Sequence, residues 1–360
     1  LVRAGVPVRP AEAVIGDQGL AAATAAARTW TRLWGRLPLL DGQSFREIVS
    51  WRDTSLLWLT EGFLRRETAG PQCAEIVEIS LRLLDATGAS EVDAVGLAPT
   101  DATLLARACT ARGVLFHGPT PKARPLRSAA PGHAGGLRAL GRVLAPGAPP
   151  PPPSRSTTAG PAEGPPLLFI PAREADARPL QPLLDAAAVE LSRPGVIVPV
   201  PALGRWETRR VRRAATEANG RLRRCWKRLR GAPGLVESYR HQGVGFSDLA
   251  EHDLERILLG HLPGAVLRLE AAVELLSVVR PAVVLLSGSP RDERRALLAA
   301  CAVVRVPAAV LHPGPVGSEE LDRDDAGPRA EVTFVWEPGS EPGPALARLD
   351  EAARARVEPE

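Results

Sequence analysis

The stretch "RPAVVLLSGSPRDERRALLAACAVVRVPAAVLHPG" (Arg280–Gly314) decides the fold. An apolar run, Ala282–Leu286, gives way to a polar Ser-Gly-Ser-Pro turn. An Arg/Ala/Leu helical pattern follows, and then a second apolar run, Pro307–Leu311. Unbroken apolar runs belong to strands covered on both faces, and a helix between two of them is a parallel crossover. The reading is strand–helix–strand in a parallel sheet.

The same pattern occurs earlier, in "SEVDAVGLAPTDATLLARACTARGVLFHGP" (Ser90–Pro119). Cys109 pairs with Cys301 (301−109 = 192), Trp34 with Trp226 (226−34 = 192), Glu78 with Glu270 (270−78 = 192) and Leu84 with Leu276 (276−84 = 192). So long a register marks a duplicated supersecondary unit, Gly35–Pro119 and Lys227–Pro315.

Outward from the second copy, "PLLFIPA" (Pro166–Ala172) and "VIVPV" (Val196–Val200) read as strands around a helical pattern, Leu180–Leu191. A basic helix follows, then the loop "ESYRHQGVGFSDL", which leads into a long helix, Leu254–Val279. "AEVTFVWEPG" (Ala330–Gly339) is one more strand. In the first copy "AGVPVRP" takes the place of the second strand, Ala11–Arg36 is helical, and Leu56–Leu84 is the long helical stretch.

The fold class expected is α/β, with doubly wound parallel sheets in two Rossmann-like units related by the repeat. Residues 1–118 form the first unit. Residues 119–166 are a Pro/Gly/Ser-rich linker carrying "APPPPPSRS". Residues 167–315 form the second unit, and residues 316–360 begin a further one. The missing opening strand, and the lack of a partner after the last helix, lead us to expect a piece of a longer protein.

Composition narrows the classes. In 360 residues there are 45 Lys and Arg against 41 Asp and Glu, with only Lys122 and Lys227 as lysines. Charged residues are 24%, a globular balance. No apolar run is long enough to span a bilayer. One basic cluster, Arg205–Arg230, has helical spacing and suits a wet helix face. It lacks an aromatic stacking pattern, so no nucleic-acid partner is expected, while peripheral membrane contact is compatible with it. The four cysteines are scattered and form no metal motif. A reducing, cytoplasmic compartment fits them. No cofactor and no metal are expected.

In parallel sheets ligands gather at the carboxyl ends of strands, which selects four loops. They carry Arg173; Ser287, Gly288, Ser289 and Arg291; His312 and Gly314; and Glu337. The "SGSPRDE" segment offers N–H groups and hydroxyls to a phosphate or sugar, but it is neither a Walker A loop nor GxGxxG. An ordinary N-cap with proline in the first turn explains it equally well. His312 and His117 end equivalent strands, where a histidine serves as a general base, as a diphosphate ligand, or merely as a strand end. In "SYRHQGVGFSDL", Arg240, His241 and Asp248 are candidates, against a reading in which the segment docks the long helix.

The order "LLFIPA…VIVPV…YRHQGVGFSDL…RPAVVLLSGSPRDERRALLAACAVVRVPAAVLHPG" resembles the N-terminal domain of GT-B-type glycosyltransferases of bacterial surface polysaccharides. It is distantly similar to UDP-N-acetylglucosamine 2-epimerases. His117-Gly118 matches the strand-end His-Gly pair of that group, and His312-Pro313-Gly314 departs from it by one proline. The resemblance implies transfer from a nucleotide-sugar donor to a glycan or lipid-linked acceptor. His312 would be the catalytic group, and Arg173, Ser287, Gly288, Ser289, Arg291, Gly314, His241 and Glu337 would contact substrate. Two alternatives stand beside it: a non-catalytic tandem α/β module that binds a ligand or partner, and a nucleotide-sugar epimerase. Donor, acceptor and oligomeric state are not specified.

Overall fold

The computed structural model describes residues 11–60, 68–119, 164–171, 194–287, 291–312 and 332–335. The first copy contributes helix α1 (Ala11–Trp34), the hairpin β1 (Pro38–Leu40)–β2 (Gln43–Ser44) and the single turn α2 (Phe45–Ile48). The hairpin β3 (Ser50–Trp51)–β4 (Thr54–Ser55) comes next, then α3 (Leu56–Leu59) and α4 (Ala69–Thr87). It closes with β5 (Glu91–Asp93), α5 (Pro99–Arg112) and β6 (Leu115–His117).

The second copy is preceded by β7 (Leu167–Pro171), β8 (Gly195–Ile197) and a 3-10 segment, Val200–Trp206. Then come α6 (Arg209–Leu229), α7 (Pro233–Ser238), the hairpin β9 (Arg240–His241)–β10 (Val244–Gly245) and α8 (Ser247–Arg256). A π-helical turn, Ile257–His261, leads to α9 (Leu262–Val279). The chain ends its described course with β11 (Val283–Ser287), α10 (Arg291–Val304), β12 (Ala308–His312) and β13 (Val332–Val335).

Several elements of the two stretches fall at positions 192 residues apart. Helices α4 and α9 end at Thr87 and Val279 (279−87 = 192), and α5 and α10 span Pro99–Arg112 and Arg291–Val304 (291−99 = 192). The same backbone device ends them. Gly88 and Gly113 have φ of 58° and 70°, and their equivalents Arg280 and Arg305 have 48° and 58°. A left-handed residue after the last turn satisfies orphan carbonyls. Gly88 N–H donates to Leu84 O and Arg280 N–H to Leu276 O, each at 2.9 Å.

Two compact units result, and neither is one copy alone. The first comprises Leu1–Val49, Glu61–Ala134 and Leu222–His261; the second comprises Ser50–Thr60, Gly135–Arg221 and Leu262–Glu360.

The first unit is mostly helical. Helix α4 buries Cys73, Ala74, Val77, Leu81 and Leu84 on one stripe at helical spacing. An aromatic cluster fills the space beside α1. Trp30 stands 5.3 Å from Phe246 and 6.1 Å from Tyr239, and Trp34 lies 5.0 Å from Phe45. Both indoles are satisfied, Trp30 Nε1 by Arg240 O and Trp34 Nε1 by Ser238 Oγ, each at 3.2 Å. Gly234 is required where α7 meets β1, because a Cβ there would lie 2.5 Å from Leu39 O. Strands β5 and β6 pair in parallel through α5, but alternate positions are exposed. The "AGVPVRP" strand expected in this unit lies outside the described residues.

The second unit holds a five-stranded parallel sheet ordered β13-β12-β11-β7-β8. Phe169, Leu168, Ile170, Val284 and Leu286 are fully buried in it, as unbroken apolar strands require. The molecule is thus α/β, with parallel sheets among the described residues.

"ESYRHQGVGFSDL", expected as a loop, contains the hairpin β9–β10. Gln242 and Gly243 at its tip have φ of 46° and 85°, the pair of positive values that a type I′ turn needs. Its counterpart, β3–β4, turns through Arg52 and Asp53 at 47° and 60°. The helix expected to run unbroken from Leu254 to Val279 is interrupted by the π-helical turn.

Candidate functional site

The carboxyl edge of the five-stranded sheet brings several sequence-selected positions together. Ser287 ends β11 in register with Pro171 of β7 on one side and Leu311 of β12 on the other. His312, the next residue of β12, is paired with Val335 of β13. The Ser287 side chain is buried, and Arg291 opens α10 beyond this edge. Arg173, Gly288, Ser289, Gly314 and Glu337 lie outside the described residues. His241 belongs to the other unit.

Part of the packing in this unit comes from the first copy. Segment 50–60 packs α3 against α9 and α10, the helices on either side of β11 in sequence. Arg295 of α10 stacks 5.3 Å from the Trp58 ring centre and donates to Trp58 O at 2.5 Å. At the tip of β3–β4, Trp51 Nε1 donates to Glu270 Oε1 at 2.7 Å. Arg52 donates to the same carboxylate from Nε at 2.5 Å and from a terminal nitrogen at 3.0 Å. Glu270 is only 3% exposed. Burial alone would raise its carboxyl; the hydrogen bonds from Arg52 and Trp51 outweigh that and hold it below its ordinary value.

The first unit repeats the device with the copies exchanged. Glu78, 192 positions before Glu270 and equally buried, receives the tip of β9–β10. Gln242 Nε2 donates to Glu78 Oε2 at 2.5 Å, His241 Nε2 lies 2.9 Å from the same oxygen, and Arg82 Nε donates to Oε1 at 2.9 Å. His241 and Gln242 are the counterparts of Trp51 and Arg52 (241−51 = 190). His241, a candidate for substrate contact, is therefore engaged at 13% exposure by a buried carboxylate. An open groove of about 540 Å³ adjoins Glu78 and Gln242, between α1 and α4.

Of the other two residues singled out in that segment, Asp248 is clasped by both terminal nitrogens of Arg107 at 2.8 Å, which lowers its carboxyl. Arg240 pairs with Glu237 at 3.5 Å on the surface. Nearby, Ala69 N–H donates to Asp253, whose carboxyl burial pushes upward. Burial raises the Cys73 thiol to about 12 and the Cys225 thiol to about 11, so both stay protonated and weakly nucleophilic at neutral pH.

Among the described residues no group of three His, Cys, Asp or Glu side chains is placed to hold a metal ion. None of the described helices is long and apolar enough to cross a membrane.

Sequence reasoning missed Glu78 and Glu270 as anchors, though their matched spacing was the available signal. A glutamate at one place in two apolar stripes needs a buried partner. Nothing local announced that the partner sits on the other copy.

The class these features define is an α/β protein with parallel sheets among the described residues. No family model matches the chain, and no curated protein or solved structure is found to be similar to it.

Proposed function

We propose that the chain is a GT-B-like glycosyltransferase, or a piece of one, that handles a nucleotide sugar in surface-polysaccharide synthesis. The observation that carries this reading is the strand order. Counted within its own sheet it runs 2-1-3-4-5, a doubly wound order whose ligand crevice opens where the order reverses. That point lies between β7 and β11, at the strand end occupied by Ser287. On this reading both copies are Rossmann-like in descent.

On this reading Ser287 lines the crevice, and Gly288, Ser289 and Arg291, which follow it in sequence, are the further substrate contacts. A diphosphate suits the start of α10, because the first N–H groups of a helix lack intrahelical partners and favour negative charge. His312, one strand over, takes the acceptor hydroxyl proton or donates to the diphosphate. Arg173, Gly314 and Glu337, which follow β7, β12 and β13 in sequence, are the remaining candidate contacts. His241 is assigned no substrate role here, because Glu78 already engages it.

A panel of UDP- and CMP-sugars, titrated into the chain calorimetrically, tests the reading. Binding of one member, weakened at least tenfold by Ser287→Ala, supports it. Absence of binding by every member contradicts it. With an acceptor in hand, His312→Ala should lower turnover by about 10²–10⁴-fold.

The rival is a non-catalytic tandem α/β module, favoured by one observation: the buried ionisable groups Glu78, Glu270 and Asp253 all serve hairpin or helix anchoring. Ligand binding indifferent to both His312→Ala and Ser287→Ala would favour it.

A further inference from the structure

We infer that the outer face of α6 docks the protein onto an anionic lipid surface. Helix α6 carries eight arginines and Lys227 against one acid, Glu217, a net +8 in 21 residues. The whole chain is +4, so the remaining residues sum to −4 (+4 − 8 = −4). The positive charge of this protein is therefore concentrated on one element of an otherwise acidic molecule. A basic residue scattered for solubility would not leave that remainder.

The helix is held by its other side. Val211, Ala218, Leu222, Trp226 and Leu229 are buried, each 6% exposed or less. Arg209, Arg213, Arg223, Arg224 and Lys227 are exposed and form no ion pair with the described residues. Arg210 and Arg228 pair with Glu274 and Asp41, yet remain 71% and 64% exposed. At 1.5 Å per residue, a helix of 21 residues is about 30 Å long.

The shape of this face selects the partner. Its large apolar residues Val211, Leu222, Trp226 and Leu229 are buried, so no bulky apolar side chain is offered to the acyl region, and attachment is electrostatic and reversible. No aromatic ring is presented for bases: Trp226 is buried, and Trp51 lies under the Arg221 guanidinium at 5.4 Å. A row of cations along one helix matches an array of phosphates, whose attraction acts within a Debye length of about 8 Å at physiological salt.

Sedimentation of the full chain with vesicles tests the inference. Phosphatidylcholine vesicles containing about one-third phosphatidylglycerol should bind it at low salt, while pure phosphatidylcholine vesicles should not. Replacing Arg213, Arg223, Arg224 and Lys227 by Gln should weaken partition by about fivefold for each side chain, several hundredfold together. A companion variant with Lys at the three arginine positions should retain binding, and a folded parent should be released by salt. Equal binding to both vesicle types overturns the inference, as does a folded Gln variant that binds like the parent. Preference of the parent for duplex DNA over anionic vesicles at matched phosphate overturns it as well. The vesicles contain no sugar nucleotide, so the outcome is independent of the glycosyltransferase reading.

Discussion

The two units solve one packing problem with different chemistry. In each, a helix from one copy buries a glutamate that grips the type I′ hairpin of the other copy. In the second unit the grip is ionic: Glu270 meets the Arg52 guanidinium and the Trp51 indole. In the first it relies on Gln242, His241 and the helix's own Arg82. The surroundings differ in the same sense. The unit of the second grip holds a five-stranded sheet, whereas that of the first holds five aromatic rings, Trp30, Trp34, Phe45, Tyr239 and Phe246. A duplicated backbone thus tolerates exchange of side-chain chemistry provided that each buried carboxylate finds donors.

The largest expected effects disrupt these surroundings. Phe246→Ala and Phe169→Ala each empty a fully buried site and should cost about 3–5 kcal/mol in urea unfolding. A cost under about 1 kcal/mol at either would mean that the ring is not part of a close-packed core.

Next comes the contrast between the grips. Glu270→Ala leaves a cation without its counter-charge. Because Arg52 is 34% exposed, water screens part of the loss, and about 2–4 kcal/mol is expected rather than the full cost of a buried pair. Glu78→Ala should cost less, about 1–2 kcal/mol, since the hairpin contributes the neutral donor Gln242 and the cation, Arg82, is a 37% exposed i,i+4 partner on the same helix, a kind of pair that contributes little. The reverse order would contradict the ionic-versus-neutral distinction.

A pH series sharpens it. Glu270 titrates below its ordinary 4.5 in the folded chain, so its contribution is complete above that value and is lost as pH falls through the folded one. Between about pH 5 and about pH 2 the parent should therefore lose more stability than Glu270→Gln does. Parallel acid curves for the two proteins would refute this. The smallest effect expected is at the surface pair Arg107–Asp248, where Asp248→Asn should cost about 0.2–1 kcal/mol by thermal unfolding.

The second-unit sheet was legible because its strands are unbroken apolar runs bounded by proline and glycine, a pattern that buried parallel strands impose. Ser287 and His312 followed from that reading, since strand ends are set by the strands. The hairpins were not legible for a physical reason. A type I′ turn is announced by Asn-Gly or Asp-Gly, and here its tips are Arg52-Asp53 and Gln242-Gly243, one of them without glycine. Strands of two residues also carry no alternation to detect. The exchange between copies was hidden for another reason. Periodicity reports which face of an element is buried, not which element covers it, so Glu78 and Glu270 entered only as a matched pair of positions and their partners could not be named.

A double-mutant cycle across Arg52→Ala and Glu270→Ala, followed by urea unfolding, tests the exchanged grip most directly. The two residues lie 218 positions apart on different copies, and the account predicts a coupling of about 1–3 kcal/mol between them. Additivity within about 0.3–0.5 kcal/mol would show that the first copy's hairpin is not held by the second copy's glutamate, and would contradict the account.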